Sequence, residues 1–531
     1  IFIPKIFIMP IRMVDDDKDN FSNENQNTPG GGGGNRGGGG LMQFLPMIIG
    51  LLIRKPALLL VVLAGAAFFY FKGGCNFSSV SNIVQQFSTG GNLNKDTFAK
   101  AEVYEGLDES KNNLPEYISL LKFSPNRLNQ GQQGSCVAWS SAYAARTIVE
   151  STSKGIDPNA AAFSPSFMYN QIGLEGCQGS YIIRAMQNLT QVGAVPFNDF
   201  PYTDKDCTNQ PNGQLINEAG QNKIIGFTRL TETESAAQID IYAIKQHLAK
   251  DVPVVIGMMV GGSFMQDMMG KEIWHPTADD YNMMGFGGHA MCVIGYDDRK
   301  EGGAFQIMNS WGNEWGENGI GWVLYKDFKH FVREAYGLNP MIKQGAAIAK
   351  NLEVDLGLVN AETKQYIPLK TVNNNVFETV NPIPKGTGFK IELKNNTECY
   401  VYVIGMETDG SSYVLFPYPS SSDATKSMFS PYCGITGYRL FPKGKKLQAD
   451  DIGNKDYFAI ITSKEALDVF QLNNIISQNK GLGFENAINN ALQKYTINGV
   501  SYNANTNGTI GFKTETNNKN AVACIIAIDK Y

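Results

Sequence analysis

Around Gly345 the hydrophobic pattern of this chain changes period, and one continuous core cannot serve both halves. Downstream, FKIEL (389–393) and YVYVIGMETDGSSYVLFPY (400–418) alternate apolar with polar residues, as strands with one buried face do, and Asp409-Gly410 is a hairpin-turn pair. Two helical stretches, near 463–476 and 483–494, and the strand AVACIIAI (521–528) complete this half, which reads as mostly β. Upstream, helix and strand patterns mix from about 114 to 338. A single hydrophobic core seldom grows past about 250–300 residues, so the 531 residues predict two folded domains, 113–342 and 343–531, of α+β class.

The remaining residues read as appendages. Residues 1–40 end in VDDDKDNFSNENQNTPGGGGGNRGGGG, which holds almost nothing that could be buried, and predict a flexible tail. Its glycines lack the preceding strand, following helix and Lys-Ser/Thr pair of a phosphate loop. Residues 41–72 turn apolar, and PALLLVVLAGAAFFYF (56–71) reads as a membrane anchor flanked by Arg54, Lys55 and Lys72. As a helix it rises about 24 Å, short of the roughly 30 Å hydrocarbon core unless its basic flanks reach the interface. The basic residues before it predict a single-pass membrane protein with a cytoplasmic N-terminus and everything after residue 75 periplasmic or extracellular. Residues 73–112 read as a stalk or short pro-segment.

Composition narrows the chemistry. With 43% hydrophobic and 18% charged residues the chain is globular, and a net charge of -5 gives no reason to expect a nucleic-acid partner. Eight cysteines are too sparse for a disulfide scaffold, and without a CxxC pair or histidine cluster neither a metal nor a cofactor is expected.

The stretch NQGQQGSCVAW (129–139) poses the functional question: Cys136 is a nucleophile, half of a disulfide, or a small buried residue. Ser135 can cap a helix running from Cys136 through VAWSSAYAARTIVE, which puts the sulfur at a helix N-terminus, where the macrodipole favours thiolate. A thiolate also needs a base. Of the four histidines, His289 sits in GGHAMCVIGYDD, between a glycine pair and a strand-like run, while His247 and His330 read as structural or surface and His275 as a neighbour of the cleft. Twenty residues after His289 comes NSWGNEW, where an Asn309 amide could fix the imidazole tautomer and Trp311 could shield that bond from water.

Taken together, Gln130-Gly131, Gly134-Ser135-Cys136, His289-Ala290, Asn309-Ser310-Trp311-Gly312 and Trp315-Gly316 resemble the papain family of cysteine peptidases over about 114–338. The resemblance implies a two-lobed fold, one lobe helical and one barrel-like. It also implies Cys136 as nucleophile, His289 as base and acid, Asn309 as its orienter and Gln130 as oxyanion donor. Gly179, Ser180, Tyr181, Gly288 and Trp311 would then border the polypeptide substrate. The sequence departs from the family at Val137, where tryptophan is usual, at Ser180, where glycine is usual, and at Gln133, where a cysteine often pairs with the equivalent of Cys177. Cys177 then needs another partner or none, and Cys207, in FPYTDKDC, is the nearest candidate. Within the second domain a Cys399–Cys433 bridge is expected. TDGSSYVLFPY and FPKGKKLQ resemble a bacterial module of unknown function, which implies an accessory domain that binds a protein or cell-envelope component. An endopeptidase is the expected activity. An inactive papain-fold scaffold, an amidase, an exopeptidase and a transpeptidase remain the alternatives.

Overall fold

The alternation beyond Gly345 is realised as two stacked sheets. The computed structural model describes residues 11–15, 88–92, 98–230, 239–345, 349–420, 423 and 425–531. They divide into two units, one formed by the described parts of Ile1–Gln26, Glu102–Asn113 and Ala347–Tyr531, the other by those of Asn27–Ala101 and Leu114–Ala346.

In the first unit one sheet runs in the order Ile11–Asp15, Lys445–Ala449, Gly388–Asn395, Asn351–Asn360, Ile510–Glu515, Tyr502–Ala504. The other runs Leu369–Asn373, Val376–Thr379, Ala521–Asp529, Lys455–Ser463, Cys399–Met406, Ser412–Phe416. Period-two alternation sorts each strand. Val401, Val403, Val522, Cys524 and Ile526 face the layer between the sheets, whereas Tyr402, Ile404, Ala523 and Ile525 face the other way. That second face is covered by the helices Val469–Gln478 and Phe484–Ala491, through Leu472, Ile476, Phe484 and Ile488. Asp409-Gly410 turns the hairpin as expected, with Gly410 at φ +83°.

The second unit joins a sheet to a set of helices. Its strand order is Phe227–Arg229, Val332–Leu338, Val254–Val260, Gly287–Asp297, Ala304–Met308, Ile320–Leu324, Ile273–Trp274. Val254–Val260 and Gly287–Asp297 are buried along nearly their whole length, which explains their near-continuous apolar sequence. The helical part holds Pro165–Ile172, Ile182–Gln191 and a run from Cys136 to Lys154.

Three expectations change. The single-pass membrane protein with an outward-facing peptidase is corrected: no helix among the described residues is long and apolar enough to cross a membrane. The longest helical run among the described residues, Cys136–Lys154, carries a buried Arg146–Glu150 pair, and the exposed Lys154 also pairs with Glu150. The anchor segment 41–72 lies outside the described residues. Within the glycine-rich tail, Ile11–Asp15 is a strand paired antiparallel with Lys445–Ala449, and Ile11 is fully buried; the rest of 1–40 lies outside the described residues. Cys399 and Cys433 stand opposite each other on adjacent strands, yet both are free thiols, each held in an apolar layer.

Candidate active site

Cys136 begins the helical run with three α-helical residues, after which Trp139–Arg146 widens to a π-helix and Thr147–Lys154 returns to α. The bulky, buried side chains of Trp139, Tyr143 and Arg146 fall in the widened section. Ser135 occupies the N-cap position but makes no capping bond. Its hydroxyl pairs instead with Tyr202 Oη at 2.7 Å, and its main chain has φ -96° and ψ 12° rather than the extended geometry a side-chain cap uses.

The strand Gly287–Asp297 brings His289 to this helix end. Ala290 N donates to Cys136 Sγ at 3.4 Å, so the sulfur sits against the residue next to His289. His289 Nε2 lies 2.8 Å from Asn309 Oδ1, at the end of the strand Ala304–Met308. Because that oxygen is an acceptor, Nε2 carries the proton and Nδ1 is the basic nitrogen. Nδ1 has no hydrogen-bond partner among the described residues. Trp311 stacks on the imidazole, with ring centroids 4.3 Å apart and planes at 21°, and excludes water from the His289–Asn309 bond.

Gln130 is fixed through its neighbours. Ser310 Oγ donates to its Oε1 at 2.6 Å, its N donates to Ser310 O at 2.8 Å, and Tyr202 Oη donates to its carbonyl at 2.7 Å. Its Nε2 is thereby turned to donate to Gln133 O at 2.9 Å and Ser88 O at 3.2 Å. Ser310 and Tyr202 are positioning residues that the sequence reading missed. Ser310 adjoins Asn309 and so lies inside a quoted motif, whereas Tyr202, in FPYTDKDC, carries no local signal of this role.

Burial sets the proton distribution. It pushes the Cys136 thiol up to about 12, against the lowering influence of N–H groups of Ala290, Val137 and Gly90. It pulls His289 down to about 4, against the Asn309 bond. Both directions favour the neutral thiol–imidazole pair, the opposite of the thiolate expected from the helix N-terminus alone. Desolvation outweighs the dipole because the sulfur is fully buried.

Cys177 and Cys207 are joined by a disulfide with Cα atoms 6.0 Å apart. Gln133 Nε2 donates to Asp206 O at 3.4 Å, so the residue at the usual cysteine position contacts the bridged loop by a hydrogen bond. Gly179 and Ser180 follow the bridge, and Ser180 Oγ is tied to Ile172 O at 2.9 Å. The Arg184 guanidinium lies over the Tyr181 ring, 5.1 Å from its centroid. His275 is exposed, its Nε2 3.7 Å from Glu301 Oε1, and His247 is buried with Nδ1 on Ala243 O at 2.8 Å.

A stretch of the chain itself lies in this groove. Ser88–Asn92 pairs in parallel with Ser180: Ser180 N donates to Gly90 O and Asn92 N to Ser180 O, each at 2.9 Å. On the opposite wall Gly91 N donates to Gly288 O at 2.9 Å, and Trp311 Nε1 donates to Ser88 O at 2.8 Å. The stalk or pro-segment expected over 73–112 is therefore in part a groove occupant. Nothing in the sequence pattern of STGGN marks it as such.

Residues 124–335 match the papain family cysteine protease model. This segment is a papain-family cysteine protease domain. An uncharacterised peptidase C1-like protein of Acanthamoeba polyphaga mimivirus is 27% identical over 237 residues, 43% of this chain and 71% of its own length. A cathepsin B-like protein of Giardia intestinalis is 27% identical over 229 residues, 42% of this chain and 72% of its own length. Xylellain, a cysteine protease from Xylella fastidiosa, matches with a TM-score of 0.40 and 24% identity, over 48% of this chain and 97% of its own. The papain-family domain is a cysteine peptidase on a polypeptide substrate, and residues 124–335 lie wholly within one unit.

Proposed function

We propose that the chain is a cysteine endopeptidase acting through Cys136, His289 and Asn309, with Gln130 as oxyanion donor. His289 Nδ1 takes the thiol proton as Cys136 Sγ bonds to the substrate carbonyl carbon. The oxyanion formed is held by Gln130 Nε2 and the Cys136 N–H. His289 then gives the proton to the departing amine, leaving a thioester; water, deprotonated by the same nitrogen, releases the acid and restores the thiol. Asn309 keeps Nε2 protonated throughout.

The observation that carries this reading is the Asn309 Oδ1–His289 Nε2 bond of 2.8 Å with Nδ1 left without a partner, on a strand whose next residue, Ala290, donates its N–H to Cys136 Sγ at 3.4 Å. Endopeptidase mode is supported by Ser88–Asn92, since the groove accepts continuous chain on both sides of Cys136, as an internal bond requires. We assign Gly179, Ser180, Gly288 and Trp311 to its walls, and Tyr181 to its rim. We take the domains as 113–342 and 343–531, the latter a binding unit for a protein or envelope component, with no reaction of its own. The test is digestion of an unfolded protein by wild type and Cys136→Ala. Internal fragments from the wild type alone are expected. Equal cleavage by both, or trimming only from one end, overturns the reading.

A further inference from the structure

The β-rich unit carries a cavity of about 330 Å³ on the outward face of its first sheet, inside the range of roughly 300–1,000 Å³ in which small-molecule sites fall. The strands Asn351–Asn360 and Gly388–Asn395 send Leu356, Leu358, Ile391 and Leu393 into the layer between the sheets, so period two turns Asp355, Glu392 and Lys394 outward. Register sets Asp355 opposite Lys394 and Lys394 opposite Tyr438, in one row across the cavity floor. The floor requires glycine at two positions. A Cβ on Gly511 would stand 2.4 Å from Asp355 Oδ1, and one on Gly357 would stand 2.6 Å from Thr509 Cγ2.

The walls are fixed by their own bonds. Tyr366 Oη donates to Glu392 Oε1 at 2.5 Å, and Lys111 Nζ donates to Tyr366 Oη at 2.8 Å and to Glu392 Oε2, so both oxygens of that carboxylate are taken. The hairpin tip is closed by Asn505 N on Thr509 O at 2.8 Å and by Thr509 Oγ1 on Asn507 Oδ1 at 2.8 Å. Asp355 and Lys394 are held more loosely. Among the described residues Asp355 accepts one long bond, from Asn505 Nδ2 at 3.5 Å, and Lys394 Nζ donates none, lying 5.1 Å from the centre of the Tyr438 ring.

These groups select a chemistry. Lys111 and Lys394 balance Asp355 and Glu392, so the site has no excess positive charge for a phosphate or a nucleic acid. Both floor strands are paired on each side, which leaves no backbone edge for an added peptide strand. A carboxylate, an ammonium and side-chain amides together suit a ligand whose polar groups each donate and accept, as the hydroxyls of a neutral sugar do. We propose that this cavity binds a neutral saccharide, an inference that rests on the binding role proposed above for 343–531 and names its ligand class.

The experiment applies the full chain to a printed array of neutral, amino-sugar and uronic-acid oligosaccharides. The strongest neutral binder is then titrated by calorimetry into wild type, Asp355→Ala and Thr506→Trp; Thr506 is an exposed residue of the cavity rim, where the larger side chain obstructs entry. Each substitution should weaken binding at least about tenfold with unchanged melting temperature, the loss expected for a hydrogen bond to a charged group. In wild type the bound saccharide should slow hydrogen–deuterium exchange at 505–509. Binding equal in all three proteins, or an array on which no neutral sugar binds, overturns the proposal. Co-sedimentation of Cys136→Ala with cell-envelope fractions separates this failure from failure of the binding role. Retention lost after periodate oxidation of the envelope supports a glycan as the source of the sugar. Retention that survives periodate and is lost after protease treatment overturns the saccharide and leaves the binding role standing, whereas no retention and no array binding overturn both.

Discussion

Gln130, the proposed oxyanion donor, shows how far neighbours fix a side chain. Its amide oxygen, main-chain N–H and carbonyl are taken by Ser310 and Tyr202, which leaves only Nε2 to face the groove. In comparable sites removal of one oxyanion donor costs about 10²–10³ in kcat, and Gln130→Ala is expected to fall in that range with little change in KM. Steady-state kinetics reads this. An effect confined to KM would place the amide outside the reacting centre. Single residues were also where the sequence was most and least legible. Cys136, His289 and Asn309 could be picked out because thiol chemistry demands those types in a recognisable setting. Ser135 was misread because a distant tyrosine, Tyr202, takes the hydroxyl that a cap would need.

Among the elements, long periodic ones follow from the sequence and short ones do not. Ala521–Asp529 and Cys399–Met406 alternate over enough residues to declare both faces. Ile11–Asp15, five residues beside a glycine-rich stretch, becomes a strand only because Lys445–Ala449 offers it an edge. Ser88–Asn92 has no periodicity at all; its conformation is dictated by the groove. The Cys177–Cys207 bridge closes a separation of 30 residues next to the Gly179–Ser180 wall. A loop of that length is worth about 3–4 kcal/mol in the chain-entropy model, so Cys177→Ser with Cys207→Ser should lower the stability of the peptidase unit by roughly that much. Denaturant unfolding followed by tryptophan fluorescence reads it directly, since all five tryptophans lie between Trp139 and Trp322. An unchanged midpoint would show that the main-chain bonds alone hold the wall.

At the scale of the whole molecule each unit buries polar chemistry of its own. The peptidase unit buries its reacting groups as neutral species. The β-rich unit buries charge: Lys530 bridges Asp450 and Asp456, with Lys530 Nζ 2.7 Å from Asp456 Oδ1 and all three residues at most 7% exposed. Burial lifts the Asp456 carboxyl to about 6 despite the lysine. Lys530→Met leaves two carboxylates without their cation, and breaking a buried pair this way costs about 3–5 kcal/mol. Calorimetry is the appropriate reading, because this unit has no tryptophan. A melting transition unmoved by Lys530→Met would mean that water already reaches the site.

The central claim, that Cys136 attacks with His289 as its base, is tested most directly by mapping a peptidyl-epoxide adduct on the full chain by peptide mass spectrometry. The adduct is expected on Cys136, slowed at least about a hundredfold by His289→Ala, as loss of a general base requires. An adduct on Cys292 or another thiol instead, or one on Cys136 that forms equally fast without His289, would contradict it.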